Sequence, residues 1–147
     1  MNNHWGLLAV GLTIIAFGSA LMLVLIPAPK TPIDTPVAPF ADLIVVDVPK
    51  PNDGISATAA VFSGKARGTW YFEASFPIDI KNASGTVIAQ GHAEAQGDWM
   101  TEDFVPFTAT VTYPAQPKGS KGTVVFKNDN PSGDPARDKA VEVPIVF

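Results

Sequence analysis

The stretch 70-WYFEASFPIDI-80 alternates between two kinds of side chain, and this alternation decides the fold class. Its even-numbered positions are all apolar: Trp70, Phe72, Ala74, Phe76, Ile78 and Ile80. Its odd-numbered positions include Glu73, Ser75 and Asp79. Because successive side chains of a β-strand point to opposite faces, a period of two predicts a strand with one buried face. We therefore expect a strand over residues 70–80.

Six further strand-like runs surround this stretch, separated by clusters of turn-forming residues. They cover residues 43–48, 56–66, 86–95, 104–113, 122–127 and 140–147. The sequence Asn82-Ala83-Ser84-Gly85 predicts a hairpin turn. About seven short strands in about 100 residues, with no amphipathic helix, are typical of an immunoglobulin-like sandwich. The predicted fold is therefore all-β, an immunoglobulin-like sandwich of about seven strands over residues 40–147.

The composition limits both the core and the chemistry. The chain contains no cysteine, which excludes disulfides, zinc–thiolate sites and cysteine nucleophiles. The core must then rely on packing, and its candidate aromatic residues are Trp70, Phe72, Phe76, Phe107, Phe126 and Phe147. The formal net charge is −4 without a basic run, so nucleic-acid binding has little support.

The N-terminal part predicts a membrane anchor over residues 1–26. Residues 7–26 read LLAVGLTIIAFGSALMLVLI, about 20 uncharged residues, which is the length a helix needs to cross a bilayer. A cleaved signal peptide is the alternative, because Gly18-Ser19-Ala20 resembles a cleavage site. Against it, the residues before the run include no lysine or arginine, and the apolar run continues after Ala20.

Residues 27–39, PAPKTPIDTPVAP, predict a proline-rich linker. Each proline fixes φ and removes a backbone donor, which excludes a helix or a central strand. The expected conformation is polyproline II, a semi-rigid spacer between membrane and domain. For the orientation, Lys30 alone favours a cytoplasmic C-terminal side, but one charge is a weak signal and domains cross largely regardless of it.

Three ordered motifs carry a family resemblance. They are 70-WYFEASFP-77, then 97-GDWM-100 followed by Phe104 and Phe107, then 128-NDNPSG-133. In this order and spacing they resemble the immunoglobulin-like domain of bacterial spore germination proteins, the family found beside GerMN domains. The resemblance covers residues 43–147. It implies an immunoglobulin-like fold without enzyme activity, on a bacterial protein whose C-terminal domain lies outside the cell membrane, and it transfers no functional residue.

The second and third motifs, with Glu73, supply the candidate binding residues. These are Trp99, Met100, Asp129, Asn130 and Glu73. Exposed aromatic and apolar side chains rimmed by polar groups often mark a binding surface. The alternative is maintenance of the fold, in which Trp99 covers one end of the sandwich and the Asn and Asp side chains bond loop backbone. Two successive strand reversals should place both loops at the same end, where Asn128, Asp129 or Asn130 can bond backbone near Trp99.

Catalytic and metal sites have weaker support. His92 is the one histidine within the predicted domain, and no pattern ties it to a serine and a carboxylate. Glu73 with Asp98 or Glu102 could form an acid–base pair, but nothing in the sequence sets their separation. The acidic loops do not have EF-hand spacing, and Asp and Asn are ordinary turn formers. We predict no catalytic residue, no metal and no cofactor.

The leading hypothesis is therefore a non-catalytic, membrane-anchored module of the cell envelope that binds protein or cell-wall polymer. The alternative is a structural spacer or an assembly subunit of an envelope complex. A third hypothesis, an unrecognised hydrolase, would require a concave pocket with convergent titratable groups.

Overall fold

The computed structural model describes residues 38–147, which form an all-β domain. Its strands are β1 (Ile44–Val48), β2 (Asp53–Gly54), β3 (Ala59–Arg67), β4 (Ser75–Asn82), β5 (Val87–Ala95), β6 (Phe104–Thr112), β7 (Lys121–Lys127) and β8 (Ala140–Val146). Two short 3-10 turns cover Gly68–Trp70 and Pro135–Arg137. The predicted anchor at residues 1–26, and the linker as far as residue 37, lie outside the described residues. No helix within residues 38–147 is long and apolar enough to cross a membrane.

The strands are ordered β1-β3-β6-β5-β4-β7-β8-β2. Neighbouring strands are antiparallel except β2 and β8, which are parallel. The pairing between β5 and β6 is limited to Glu94 with Thr108 and Ala95 with Phe107. The sheet folds over at this narrow junction, so that β1-β3-β6 forms one layer of the sandwich and β5-β4-β7-β8-β2 forms the other.

Aromatic side chains from both layers meet in the core. Phe62 of β3 packs edge-on against Phe126 of β7, with ring centroids 6.1 Å apart. Phe107 of β6 lies 5.0 Å from the ring of Phe76 of β4. All four side chains are buried. Burial of a side chain of this size contributes about 1.5–3 kcal/mol, so the core is stabilised by packing without disulfides.

The predicted sandwich is confirmed, with small differences in its strands. The strands that follow residue 85 agree with the prediction to within a residue at either end. The short strand β2 was not predicted, because Asp53 and Gly54 belong to a cluster of turn formers. It pairs with Ile145 and Val146 at the outer edge of β8.

The predicted strand over residues 70–80 is wrong in its first half, because β4 begins at Ser75. Glu73 and Ala74 have φ values of 50° and 63°, which place both in the left-handed region. They form a two-residue turn in which Phe72 and Ser75 exchange backbone hydrogen bonds of 3.0 and 3.1 Å. The turn interrupts the alternation, so Tyr71 is buried and Phe72 is 40% exposed, the reverse of the prediction.

Candidate functional site

Segment 68–75, between β3 and β4, is the support on which two loops meet. A Cβ added to Gly68 would lie 2.3 Å from the carbonyl oxygen of Trp99 and 1.9 Å from that of Thr101, so the loop at residues 96–103 rests directly on this glycine. The backbone N–H of Asp129 donates to the carbonyl of Trp70 at 3.0 Å, which attaches the loop at residues 128–139. The prediction that both loops lie at the same end of the domain is confirmed.

The 96–103 loop carries one inward-facing and one outward-facing apolar side chain. Trp99 is half-buried and packs against the core, as the fold-maintenance alternative expected. Met100 is 76% exposed, and its backbone N–H is held by the Asp98 carboxylate at 3.0 Å. Arg67 donates to the carbonyl of Glu102 at 2.7 Å and fixes the end of the loop.

Glu73 occupies the tip of the two-residue turn and not a strand position. Its side chain is exposed. The carbonyl of Ala74, the next residue, accepts a 2.8 Å hydrogen bond from the N–H of Ala95, the last residue of β5. The turn is thereby fixed beside the start of the 96–103 loop. The structure thus places Glu73, Trp99 and Met100 on connected segments at one end of the sandwich.

The side chain of Asn130 is used within its own loop. Its Nδ2 donates to the carbonyl of Asp134 at 2.8 Å and to Oδ1 of Asp138 at 2.7 Å, and its Oδ1 accepts from Ser132 at 2.6 Å. Asn128 spans the base of the loop, since it donates to the carbonyl of Arg137 and accepts from the N–H of Lys139. The expected bonds from these side chains to backbone near Trp99 are not formed, because both amides close the loop on itself.

A depression of about 360 Å³ lies beside this loop, on the outer face of the β4-β7-β8 layer. Pro77 of β4 forms part of its apolar wall, and its charged lining residues are Lys127, Asp129, Asp138 and Lys139. Asn128 and Asn130 line the loop side, held by the hydrogen bonds described above. Most of the lining residues are polar or charged, and Lys127, Asn128, Asn130 and Asp138 are held by internal bonds.

Lys127, one of the two lysines that line the depression, forms an ion pair with Asp79. Lys127 Nζ lies 2.7 Å from Oδ2 of Asp79, and Gln90 Nε2 donates to Oδ1 of the same carboxylate at 2.8 Å. Burial raises the pKa of Asp79, but the hydrogen bonds from Lys127 and Gln90, with the charges of Lys127 and Lys81, outweigh it and hold the pKa below its usual value. Asp79 therefore remains ionised and paired with Lys127.

The other two charges in the depression have no such partner. The side chains of Asp129 and Lys139 are half-buried, and within residues 38–147 they make neither an ion pair nor a side-chain hydrogen bond. A carboxylate and an ammonium group thus line the same depression, both available to a ligand. Of the two, the sequence singled out only Asp129.

The geometry of the described residues gives little support to the catalytic and metal-site hypotheses. His92 is exposed on β5 opposite Pro77, and within the described residues it hydrogen-bonds neither a serine nor a carboxylate. The same residues contain no group of three His, Asp or Glu side chains placed to hold a metal ion. The carboxylate of Asp98 instead caps its own turn at the N–H of Met100.

The sequence missed Lys127 and Lys139, and with them the charged character of the depression. Their positions depend on the register of β7 and β8, in which Lys127 pairs with Ala140. The one signal available was Asp79, an acidic residue in the middle of a strand whose neighbouring positions are apolar. A buried carboxylate needs a cationic partner, but the sequence does not identify which lysine provides it.

The comparison with known families agrees with this architecture. The family model described as the immunoglobulin-like domain of bacterial spore germination matches residues 43–134. The chain belongs to this family. The matched range begins just before β1 and ends within the 128–139 loop, so it includes all three motifs quoted from the sequence. No curated protein and no solved structure matches the chain.

Proposed function

We propose that this immunoglobulin-like domain is a non-catalytic binding module of the bacterial cell envelope. In this proposal residues 7–26 anchor the chain in the membrane, residues 27–39 hold the domain away from the bilayer, and the domain faces outward. Its ligand is a polar cell-wall polymer, bound in the depression beside the 128–139 loop.

The observation that supports this proposal is the unpaired charge in the depression. Asp129 and Lys139 are half-buried there without partners among residues 38–147, whereas Lys127 and Asp138 are engaged by Asp79 and Asn130. A ligand that carries amide, hydroxyl, carboxylate and amino groups can satisfy both free charges. Because the surrounding amides are already fixed, little ordering is needed on binding.

Binding to isolated cell-wall sacculi tests the proposal. The full chain in mild detergent should co-sediment with sacculi, and Lys139→Ala should weaken the interaction about tenfold, the effect of losing one hydrogen bond to a charged group. Lys118→Ala is the matched control, because Lys118 is an exposed lysine in the loop after β6, at the opposite end of the sandwich. Equal binding by the two variants would contradict the assignment of the depression.

A protein partner is the second candidate, and the exposed apolar side chains at the same end support it. Phe72, within segment 68–75, is 40% exposed, and Met100, in the 96–103 loop that contacts this segment at Gly68, is 76% exposed. Met100→Ala should then reduce capture of an envelope protein, while Val61→Ala, at a 59% exposed position on β3, should not. If Lys139→Ala and Met100→Ala both leave every interaction unchanged, the structural-spacer hypothesis gains support.

The proposed orientation has its own test. Protease added to intact spheroplasts should remove the C-terminal domain while the anchor stays with the membrane fraction. Survival of the domain until the cells are lysed would place it on the cytoplasmic side, the orientation that Lys30 favours.

A further inference from the structure

The depression beside the 128–139 loop adjoins a second, smaller one. The second depression has a volume of about 230 Å³, and its lining includes Thr69, Ser132 and Arg137, which the first depression lacks. Both depressions are lined by Asn128, Asp129, Asn130 and Lys139. These four residues form the boundary between the depressions, which we call the shared wall. An extended ligand that crosses the shared wall contacts both depressions.

The backbone of the shared wall is fixed by hydrogen bonds. The N–H of Asn128 donates to the carbonyl of Lys139 at 3.0 Å, and Oδ1 of Asn128 accepts from the N–H of Lys139 at 2.6 Å. The N–H of Asp129 donates to the carbonyl of Trp70 at 3.0 Å. The charged groups of Asp129 and Lys139 thus extend from an ordered backbone, which lowers the cost of ordering them around a ligand.

The other cations around the two depressions are already neutralised. Lys127 is paired with Asp79 at 2.7 Å, and Arg137 Nε lies 3.8 Å from Oδ2 of Asp134. Asp138, which lines the first depression, adds a further negative charge. Positive and negative charges therefore nearly balance, and the site offers no surplus of positive charge. A polymer of repeating phosphate groups is disfavoured here, because binding of a polyanion requires such a surplus.

A neutral glycan is also a poor match for the shared wall. Asp129 and Lys139 are half-buried, and among the residues that the structure describes they pair neither with each other nor with a third residue. A ligand that covers them displaces the water that solvates both charges. Sugar hydroxyls replace that water only in part, whereas an amino group and a carboxylate compensate both charges with charge-assisted hydrogen bonds.

We propose that the ligand of this site is the peptide part of the cell-wall polymer and not its glycan. The inference rests on the function proposed above and specifies its ligand. Asp129 accepts hydrogen bonds from a free amino group of the peptide, and Lys139 donates to a free carboxylate. The peptide lies extended across the shared wall, with an aliphatic portion against Pro77 in the first depression and amide groups near the Thr69 hydroxyl in the second.

Chemical capping of isolated sacculi tests whether these charges are recognised. Selective acetylation of the free amines, or amidation of the free carboxylates, removes one kind of charge and leaves the glycan strands in place. The full chain in mild detergent should co-sediment with untreated sacculi whose peptides retain both groups. It should bind either capped preparation about tenfold more weakly, the effect of losing one hydrogen bond to a charged group.

Two variants assign each charge of the ligand to its residue. Asp129→Asn should bind untreated and acetylated sacculi equally, because no carboxylate remains to distinguish them, and should stay sensitive to amidation. Lys139→Gln should show the reverse pattern. A substitution that acts only on the structure of the loop would weaken binding to all three preparations by the same factor, so the pattern of sensitivity is the decisive readout.

The variants and their controls should all fold. The charged groups of Asp129 and Lys139 form no bond within residues 38–147, so their loss should leave the melting temperature unchanged. Asp42→Asn and Lys118→Gln are the matched controls, because both residues are exposed and line neither depression. Both controls should keep the wild-type sensitivity to acetylation and to amidation.

Enzymatic separation of peptide from glycan distinguishes failure of this inference from failure of the proposed function. Peptides released from sacculi by an amidase should compete with intact sacculi for the protein, and the bare glycan strands should not. Competition by the bare strands alone would overturn the peptide assignment and leave binding to the cell wall in place. An Asp129→Asn variant as sensitive to acetylation as the wild type would also overturn it. Absence of binding to untreated sacculi would instead overturn the proposed function itself.

Discussion

The two loops that meet on segment 68–75 are held in place by different physical means. The 96–103 loop is fixed by shape, since its backbone touches Gly68 and its Trp99 packs against the core. The 128–139 loop contributes no residue to the buried core. One backbone hydrogen bond, from Asp129 to Trp70, attaches it to the segment, and its own side-chain amides hold its shape. A single added methyl group should therefore disturb the first loop, and the loss of a single amide should disturb the second.

The largest effect is expected at the contact that shapes the 96–103 loop. Gly68→Ala places a Cβ within 1.9 Å of the Thr101 carbonyl oxygen and 2.3 Å of the Trp99 carbonyl oxygen, both of which are backbone atoms. Since these atoms cannot move independently of the loop, we expect the free energy of unfolding to fall by about 3 kcal/mol in chemical denaturation.

The control for this substitution lies in the same loop. An added Cβ at Gly97 would meet only Val105 Cγ1, at 3.8 Å, which is an ordinary contact. Gly97→Ala should change the free energy of unfolding by less than about 0.5 kcal/mol. Similar losses in both variants would show that the loop, and not its contact with Gly68, is sensitive to added volume.

The corresponding test of the 128–139 loop is Asn130→Ala. It removes the hydrogen bonds to Asp134 and Asp138 and leaves Ser132 without its acceptor. Because the positions involved are exposed or half-buried, we expect a loss of about 1–2 kcal/mol in the free energy of unfolding. Ser132→Ala, which removes one of these bonds, should cost less. An unchanged melting temperature together with weaker ligand binding would instead assign Asn130 to the binding surface.

The difference between the loops also explains what the sequence could predict. The Asn and Asp cluster at residues 128–133 indicated turn chemistry, because these side chains bond nearby backbone regardless of the rest of the fold. Its placement beside Trp99 followed from strand order alone. The close contact between Gly68 and the 96–103 loop could not be predicted, because a glycine in the sequence does not indicate which backbone segment will pack against it. The depression was missed because Lys127 and Lys139 meet only through the β7–β8 register.

The two-residue turn at Glu73 and Ala74 is a second feature that could not be predicted from the sequence. Turns in which both central residues have positive φ favour Asn-Gly or Asp-Gly, and here they hold Glu73 and Ala74. Neither residue type signals a turn, so the apolar alternation was extended through it. Such local strain is typical of positions retained for function, where the surrounding structure stabilises a conformation that the residues themselves disfavour.

Ala74→Gly tests the backbone strain in this turn, because glycine adopts a positive φ without steric conflict and the Glu73 side chain stays in place. We expect the free energy of unfolding to rise by about 1 kcal/mol. Ala83→Gly is the control, because Ala83 lies in an exposed turn without a positive φ and should lose a few tenths of a kcal/mol. If Ala74→Gly destabilises the domain as much as Ala83→Gly, the turn is not strained.

The smallest expected effect concerns the ion pair between Asp79 and Lys127, next to the 128–139 loop. The pKa of Asp79 is held below its usual value in the folded domain, mainly by hydrogen bonds from Lys127 and Gln90 that outweigh its burial. A group with a lowered folded-state pKa contributes stability at pH values above its unfolded pKa of about 3.9. That contribution is lost as the pH falls through the folded-state value. The free energy of unfolding should therefore decline below about pH 4, and Asp79→Asn should make this decline shallower.

Comparison with a second aspartate separates this effect from general acid destabilisation. Asp42 is exposed and forms no ion pair within residues 38–147, so Asp42→Asn should keep the wild-type acid dependence. Protonation of Asp79 releases Lys127, which adjoins Asn128 at the base of the 128–139 loop. Amide exchange should therefore accelerate at residues 128–139 before it accelerates at residues 96–103, whose contacts with Gly68 do not titrate. Simultaneous acceleration in both loops would mean that acid acts on the whole domain, and that the two loops are not held as independently as their contacts indicate.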